Sequence, residues 1–314
     1  MSIFRINTWI TLIGHVILVL IISLAFYTTI PIKTTQTLLV PQGSITHIIA
    51  QLTQKGYALS IVDKYILAFF GKPQSGWVKM QAGEVNRIDF LYNLTTAKAQ
   101  MEIITLIPGE TLVLFFQSLE KKLDLDPNAL NTYYTLLSAY PEAGIYADTY
   151  HIPYGIKEKQ LIIFLLQESE KRYKNMSYKI YGNYRKKHWL RILIIASIIQ
   201  KEAANTREMP LVSSVIYNRL KKSMPLQMDG TLNYGKYSHI KVTPQRIKTD
   251  NSRFNTYKNK GLPHSPIGAV SFAAIRAAVK PVKSTYLYFM KNAQGVHDFT
   301  SSYKAHRKNI QKAR

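Results

Sequence analysis

The chain contains no cysteine. That excludes thiol nucleophiles, thiolate zinc sites, iron–sulfur clusters and disulfides, and it leaves the redox compartment open. Acidic side chains are scarce: 18 Asp and Glu stand against 41 Lys and Arg, a formal net charge of +23. Such an excess favours polyanionic partners, whether nucleic acid, anionic lipid or an acidic cell-wall polymer, and does not choose among them. There is no glycine-rich phosphate loop and no G-x-S-x-G elbow, which argues against nucleotide chemistry and serine hydrolysis. The histidines are His15, His47, His151, His188, His239, His264, His297 and His306. None forms an i, i+2 or i, i+4 pair and H-E-x-x-H is absent, so no metal site is expected. What is present is a 314-residue chain, 46% hydrophobic, long enough for two modest domains with real cores.

One long apolar run stands at the N-terminus. No charged residue occurs from Ile6 to Ile32. As a helix rising about 1.5 Å per residue, this run crosses a hydrocarbon core of about 30 Å. Trp9 and Tyr27 lie near its ends, where amphipathic rings favour the membrane interface. The competing reading, a cleaved signal peptide, has only Ser23-Leu24-Ala25 as a weak cleavage site and calls for a shorter run. The expectation is a cytoplasmic stub over 1–8, a transmembrane anchor over 9–30, and a single-pass protein whose body lies outside the cytoplasm.

The remaining chain carries a faint repeat. Pro41-Gln42-Gly43-Ser44-Ile45 precedes Ile48, Ile49 and Leu52, and Pro108-Gly109-Glu110-Thr111-Leu112 precedes Phe115, Phe116 and Leu119. Each reads as a turn, a Ser or Thr N-cap and an amphipathic helix, following a short strand at Leu38–Val40 or Ile103–Ile107. Small modules of this kind bind extended polymers or simply pack. Residues 157–174 read as a helix. Tyr173–Trp189 then interleaves aromatics with Lys and Arg, either a solvated basic face or a surface for stacking on bases or sugars. Leu190–Ala204 is apolar nearly all round, as a buried helix is. Pro210 is expected to open the next helix, Ser271–Val279 to form another, and Thr285–Met290 and His297–Phe299 to form strands.

Glu202 follows Ile195, Ile198 and Ile199 at i+7, i+4 and i+3 and so projects from the apolar stripe of that helix. Lost hydration raises the pKa of a carboxyl group in such a place, as general acid catalysis requires. The plain alternative is a carboxylate in a polar C-terminal turn beside Lys201 and Asn205.

The stretch IASIIQKE over Ile195–Glu202, with what precedes and follows it, resembles the YceG/MltG-like endolytic murein transglycosylases. The similarity runs from about residue 36 to the C-terminus. It takes in Val40-Pro41-x-Gly43-Ser44, Ile107-Pro108-Gly109-Glu110-Thr111, Ala147-Asp148-Thr149-Tyr150 and VIYNRL over Val215–Leu220. Leu226-Gln227-Met228-Asp229-Gly230-Thr231, Asn255-Thr256-Tyr257, Gly261-Leu262-Pro263, Tyr286–Phe289 and His297-x-Phe299 complete the series. Each motif is weak alone; the shared order makes the resemblance specific.

The resemblance implies an α+β fold: the transmembrane helix, a LysM-like subdomain over 36–103 and a mixed α+β catalytic domain over 104–314. It implies a lytic transglycosylase of the inner membrane, with its catalytic part periplasmic, acting on peptidoglycan glycan strands. No cofactor, metal or nucleic acid is expected, and peptidoglycan synthases are expected as further partners. Glu202 becomes the catalytic acid and base, with Gln200 where a second acidic residue is often found. Gln227, Asp229, Asn255 and Tyr257 become glycan-binding residues. The chain departs from the family pattern at Ala147 and Gly230, both in place of Pro, and at His264-Ser265. A muramidase using Asp229 as second carboxylate, and a non-catalytic glycan-binding scaffold, are the alternatives.

Overall fold

A computed structural model describes residues 2–312, with side chains from residue 9 onward. The expected 1–8 stub therefore enters only as helix backbone from residue 2, and its side chains lie outside the described residues. The chain divides into two compact units: residues 1–102 with 151–155, and 103–150 with 156–314.

The first unit begins with α1 (Ser2–Thr29), β1 (Pro31–Thr34), β2 (Thr37–Val40) and α2 (Ile45–Gln54). It continues with α3 (Ile61–Phe70), β3 (Gly76–Lys79), β4 (Gly83–Asn86) and α4 (Arg87–Thr96). β1 pairs antiparallel with β4, Ile32 opposite Val85, and β2 with β3, Leu38 opposite Val78. Alternation along β1 and β2 sends Ile32, Leu38 and Val40 inward, where they meet Ile48, Leu52, Leu67, Phe90 and Leu94 in one buried cluster. The repeat over 41–52 folds as expected: Ser44 Oγ accepts the His47 N–H at 3.2 Å and starts α2. Within α1, the 21 residues Trp9–Thr29 are apolar and long enough to cross a membrane, and none is buried.

The chain passes between the units within β5 (Met101–Thr105) and again within β6 (Thr149–Pro153). Between these strands lie α5 (Leu112–Leu123) and α6 (Pro127–Leu137). The second repeat also forms its helix, with Thr111 at the expected N-cap and Phe115, Phe116 and Leu119 buried. Unlike Ser44, Thr111 makes no side-chain capping bond; its hydroxyl donates to the Gly235 carbonyl at 2.9 Å.

α7 (Glu158–Tyr181) runs seven residues past the expected end, until Gly182 turns the chain at φ +69°. α8 (Lys186–Glu202) is the centre of the second core, its Trp189 and residues 192–199 all buried. Around it pack α9 (Met209–Lys221) and, beyond the short α10 (Pro244–Thr249), α11 (Phe272–Val279). Ser271 caps α11 through the Ala274 N–H. In the segment 173–189 considered for stacking, Tyr173 and Trp189 belong to the core, at 0% and 1% exposed, while the residues between them are mostly exposed, Tyr178 at 57%. The chain closes with the antiparallel hairpin β7 (Tyr288–Lys291) and β8 (His297–Thr300), then α12 (Tyr303–Lys312). β7 begins three residues later than expected, after Asn218 has bound the Ser284 and Tyr286 carbonyls, both at 2.9 Å.

Candidate active site

In the second unit a cleft of about 460 Å³ is lined by Glu202, Arg219, Leu226–Asp229, Tyr257, Tyr288–Lys291, His297, Tyr303 and His306. Of the five residues singled out in the sequence, Glu202, Gln227, Asp229 and Tyr257 meet here. Asn255 does not.

Glu202 is the last residue of α8, so the apolar helix that fills the core delivers one carboxyl group to the edge of the cleft. Burial pushes this group up to about 7. One hydrogen bond works against burial: the Gly230 N–H donates to Glu202 Oε1 at 2.6 Å. The charge of Asp229 adds to the upward push, and the negative end of the α8 dipole acts in the same sense. Gly230 lies close against the end of α8. A β-carbon there would stand 2.8 Å from Glu202 Oε1 and 2.9 Å from Lys201 Cβ, and a proline would have no N–H to give.

Asp229 begins the 3₁₀ turn Asp229–Leu232 and is exposed. Tyr257 Oη donates to Asp229 Oδ1 at 2.7 Å, and burial together with that carboxylate keeps the phenol protonated. Gln227 is held at φ +53°, a strained value for a residue with a side chain, while its N–H donates to the Thr256 carbonyl at 3.1 Å. Asn255 is 0% exposed. Its amide donates to the carbonyls of Ile247 and Asp250 at 2.8 Å each, and its Oδ1 accepts the Tyr257 N–H at 3.1 Å. It therefore positions the loop that presents Tyr257 and is not among the residues lining the cleft.

Several lining residues escaped the sequence reading. Arg219, inside VIYNRL, donates from Nη1 to the carbonyls of Pro225 and Leu226 at 2.9 and 2.8 Å. Its Nε donates to the Leu287 carbonyl at 2.6 Å, so one guanidinium ties the Pro225–Gln227 segment to the residue before β7. Its side chain also faces the Tyr288 ring, 5.1 Å from the centroid, and His306 stacks on that ring at 5.1 Å. Glu208, just before α9, accepts both the backbone N–H and the ring Nδ1 of His297, at 2.9 and 2.7 Å. This pair fixes the start of β8 at the cleft wall. The only signals available in the sequence were the aromatic content of Tyr286–Phe289 and the His297-x-Phe299 motif. Among the described residues no cluster of three or more His, Cys, Asp or Glu is placed to hold a metal ion.

A carboxyl group poised near neutrality, beside a wall of Tyr257, Tyr288, Phe289 and Tyr303, is suited to proton transfer on a ring-shaped substrate. The YceG-like family pattern matches residues 38–312. The chain belongs to the YceG-like family. A crystal structure of a YceG-like protein from Listeria monocytogenes shares the fold, with a TM-score of 0.58 at 24% identity over 87% of this chain and 97% of that one. Two curated relatives are each named endolytic murein transglycosylase. That of Bacillus subtilis is 40% identical over 123 residues, 39% of this chain and 34% of that protein. That of Streptococcus pneumoniae is 32% identical over 58% of this chain and 36% of that protein. The matches thus span about a third of the length of these relatives.

Proposed function

We propose that this YceG-like chain is an endolytic peptidoglycan transglycosylase that uses Glu202 as its one proton carrier. The observation that carries the reading is Glu202 at the end of a buried apolar helix, raised to about 7 and opening on the cleft. Protonated Glu202 gives its proton to the glycosidic oxygen as the MurNAc–GlcNAc bond breaks. The resulting carboxylate takes the proton of the MurNAc 6-hydroxyl, whose oxygen bonds to C1 and closes a 1,6-anhydro ring. The proton lost in the first half returns in the second, and no water is consumed. The second carboxylate of a glycoside hydrolase is therefore not required.

In this reading Tyr257, Gln227 and Asp229 hold sugar, and Lys291 and the overall positive charge attract stem-peptide carboxylates. Trp9–Thr29 anchors the chain in the cytoplasmic membrane with its body on the outer side, where nascent strands are made and synthases work. The order β2, α2, α3, β3, with β2 paired to β3, supports reading residues 36–103 as a LysM-like polymer-binding module, leaving 104–314 as the catalytic domain. The competing muramidase reading draws on Asp229, which lies close enough for its charge to act on Glu202.

Digestion of purified sacculi by the full chain in detergent, followed by mass spectrometry, separates these readings. Transglycosylation yields muropeptides one water lighter than hydrolysis does. Hydrated products would replace this proposal with the muramidase, and intact sacculi with the scaffold.

A further inference from the structure

On α3, Ile61, Tyr65 and Phe69 are 69%, 65% and 86% exposed. Spaced i, i+4 and i+8, they form one stripe, opposite the face that buries Asp63 and Leu67. Scattered exposed apolar residues are ordinary on a protein surface; a stripe of three along one short helix is not. Tyr92 of α4, half exposed and packed edge-on against Phe70 at 5.4 Å, extends the patch. Lys64 lies beside Tyr65 with its Nζ 4.6 Å from the ring centre, and Lys72 follows the helix.

The place where α3 starts is what gives this stripe a partner. Tyr27, in the last turns of α1, has its hydroxyl 2.7 Å from Oγ of Ser60, the N-cap of α3. The same hydroxyl donates to Asp63 Oδ2 at 2.9 Å. Arg87 Nη1 donates to both, to Asp63 at 2.7 Å and to Tyr27 Oη at 3.0 Å, with its guanidinium 4.3 Å from the Tyr27 ring centre. The Arg87 and Asp63 side chains are 5% and 0% exposed. The Arg87 N–H also donates to the Ile30 carbonyl at 3.1 Å, so the end of α1 is clamped to α3 and α4. A buried ion pair of this kind is costly to break by removing one partner.

We propose that α3 lies in the lipid headgroup layer that α1 enters, so that the first unit docks on the bilayer through Ile61, Tyr65 and Phe69. This rests on reading Trp9–Thr29 as a membrane span. Tyr27 then sits at the boundary, and Ile61, one residue past the Ser60 that touches it, starts at headgroup depth. Amphipathic helices at that depth bury their apolar face about 5–10 Å, and exposed aromatic rings favour that layer. Lys64 and Lys72 suit anionic headgroups.

Because the chain has no cysteine, single-cysteine labelling has no background. Full chains carrying Phe69→Cys, Tyr65→Cys or Leu18→Cys, each labelled with an environment-sensitive fluorophore, are reconstituted into vesicles of phosphatidylcholine and phosphatidylglycerol. Both α3 sites are on the solvent face, so the fold is retained. The expected result is loss of emission at 65 and 69 with lipids brominated near the headgroup, and protection there from aqueous iodide. Leu18 should respond most to bromine near the chain ends. Quenching at 18, with 65 and 69 unquenched and open to iodide, overturns the proposal and leaves the span intact. No quenching at 18 removes the span itself. A response at 65 and 69 only on adding glycan strands overturns the proposal in favour of a sugar-binding face.

Discussion

Glu142 and Glu202 are two carboxyl groups of the second unit that burial pushes up to about 7. Their surroundings differ. Glu142 accepts the Leu112 N–H at 2.9 Å, at the positive end of α5, and takes no part in lining the cleft. Glu202 stands at the negative end of α8, accepts the Gly230 N–H, and opens on the cleft. An elevated pKa therefore does not pick out a catalyst here. What separates the two is access to the cleft: Glu142 accepts an N–H at the start of α5, whereas Glu202 ends α8 on the cleft.

The comparison breaks most sharply under amide substitution. Glu202→Gln keeps size and the Gly230 bond but carries no proton, so release of anhydro-muropeptides should fall at least about a hundredfold while sacculus binding persists. Glu142→Gln can still accept the Leu112 N–H and should retain turnover. Its effect belongs to stability. A carboxyl group whose folded pKa is raised stabilises the fold below its unfolded value of 4.5 and loses that contribution as pH rises through about 7. Thermal melts of Glu142→Gln should accordingly decline less than wild type across that window; identical slopes would contradict the placement of Glu142.

Gly230→Pro removes the N–H that favours ionised Glu202 and places ring atoms against its carboxylate. Turnover should drop about tenfold to a hundredfold through misplacement. The alkaline limb of the remaining activity should move to higher pH; an unmoved limb would mean the bond does not tune Glu202. Tyr257→Phe frees Asp229 from its 2.7 Å hydrogen bond and should cost less, mostly in KM. If Asp229→Ala and Asp229→Asn both abolish activity as fully as Glu202→Gln, a two-carboxylate hydrolase is the better account. The smallest effect on chemistry should come from Asn255→Ala, which takes the donor from two half-buried carbonyls. A loss of about 1–3 kcal/mol in denaturant unfolding is expected, with residual cleavage by Glu202.

What the sequence made legible followed local rules. α8 announced itself because residues 192–199 are buried on every side, and Glu202 because i+3, i+4 and i+7 fix a direction on a helix. The Ser44 cap and the Ser271 helix obeyed the same rules. Thr111 takes the expected N-cap position of α5, but its hydroxyl is drawn away from the helix by one distant carbonyl, that of Gly235. Arg219 and His306 went unassigned, and His297 was named only as part of a motif, for a similar reason. Each reaches the cleft through contacts between residues far apart in the chain, such as Arg219 with Leu287 and His297 with Glu208. Asn255 was found by its motif, but a motif does not give burial, and in the fold its amide faces the Ile247 and Asp250 carbonyls.

The pH dependence of kcat/KM for anhydro-muropeptide release by the unaltered chain tests the central claim most directly. With Glu202 as the acid, the rate should fall about tenfold per pH unit above about 7, as its proton is lost. A rate that stays level to about pH 9 would mean that no carboxylic acid of this kind takes part.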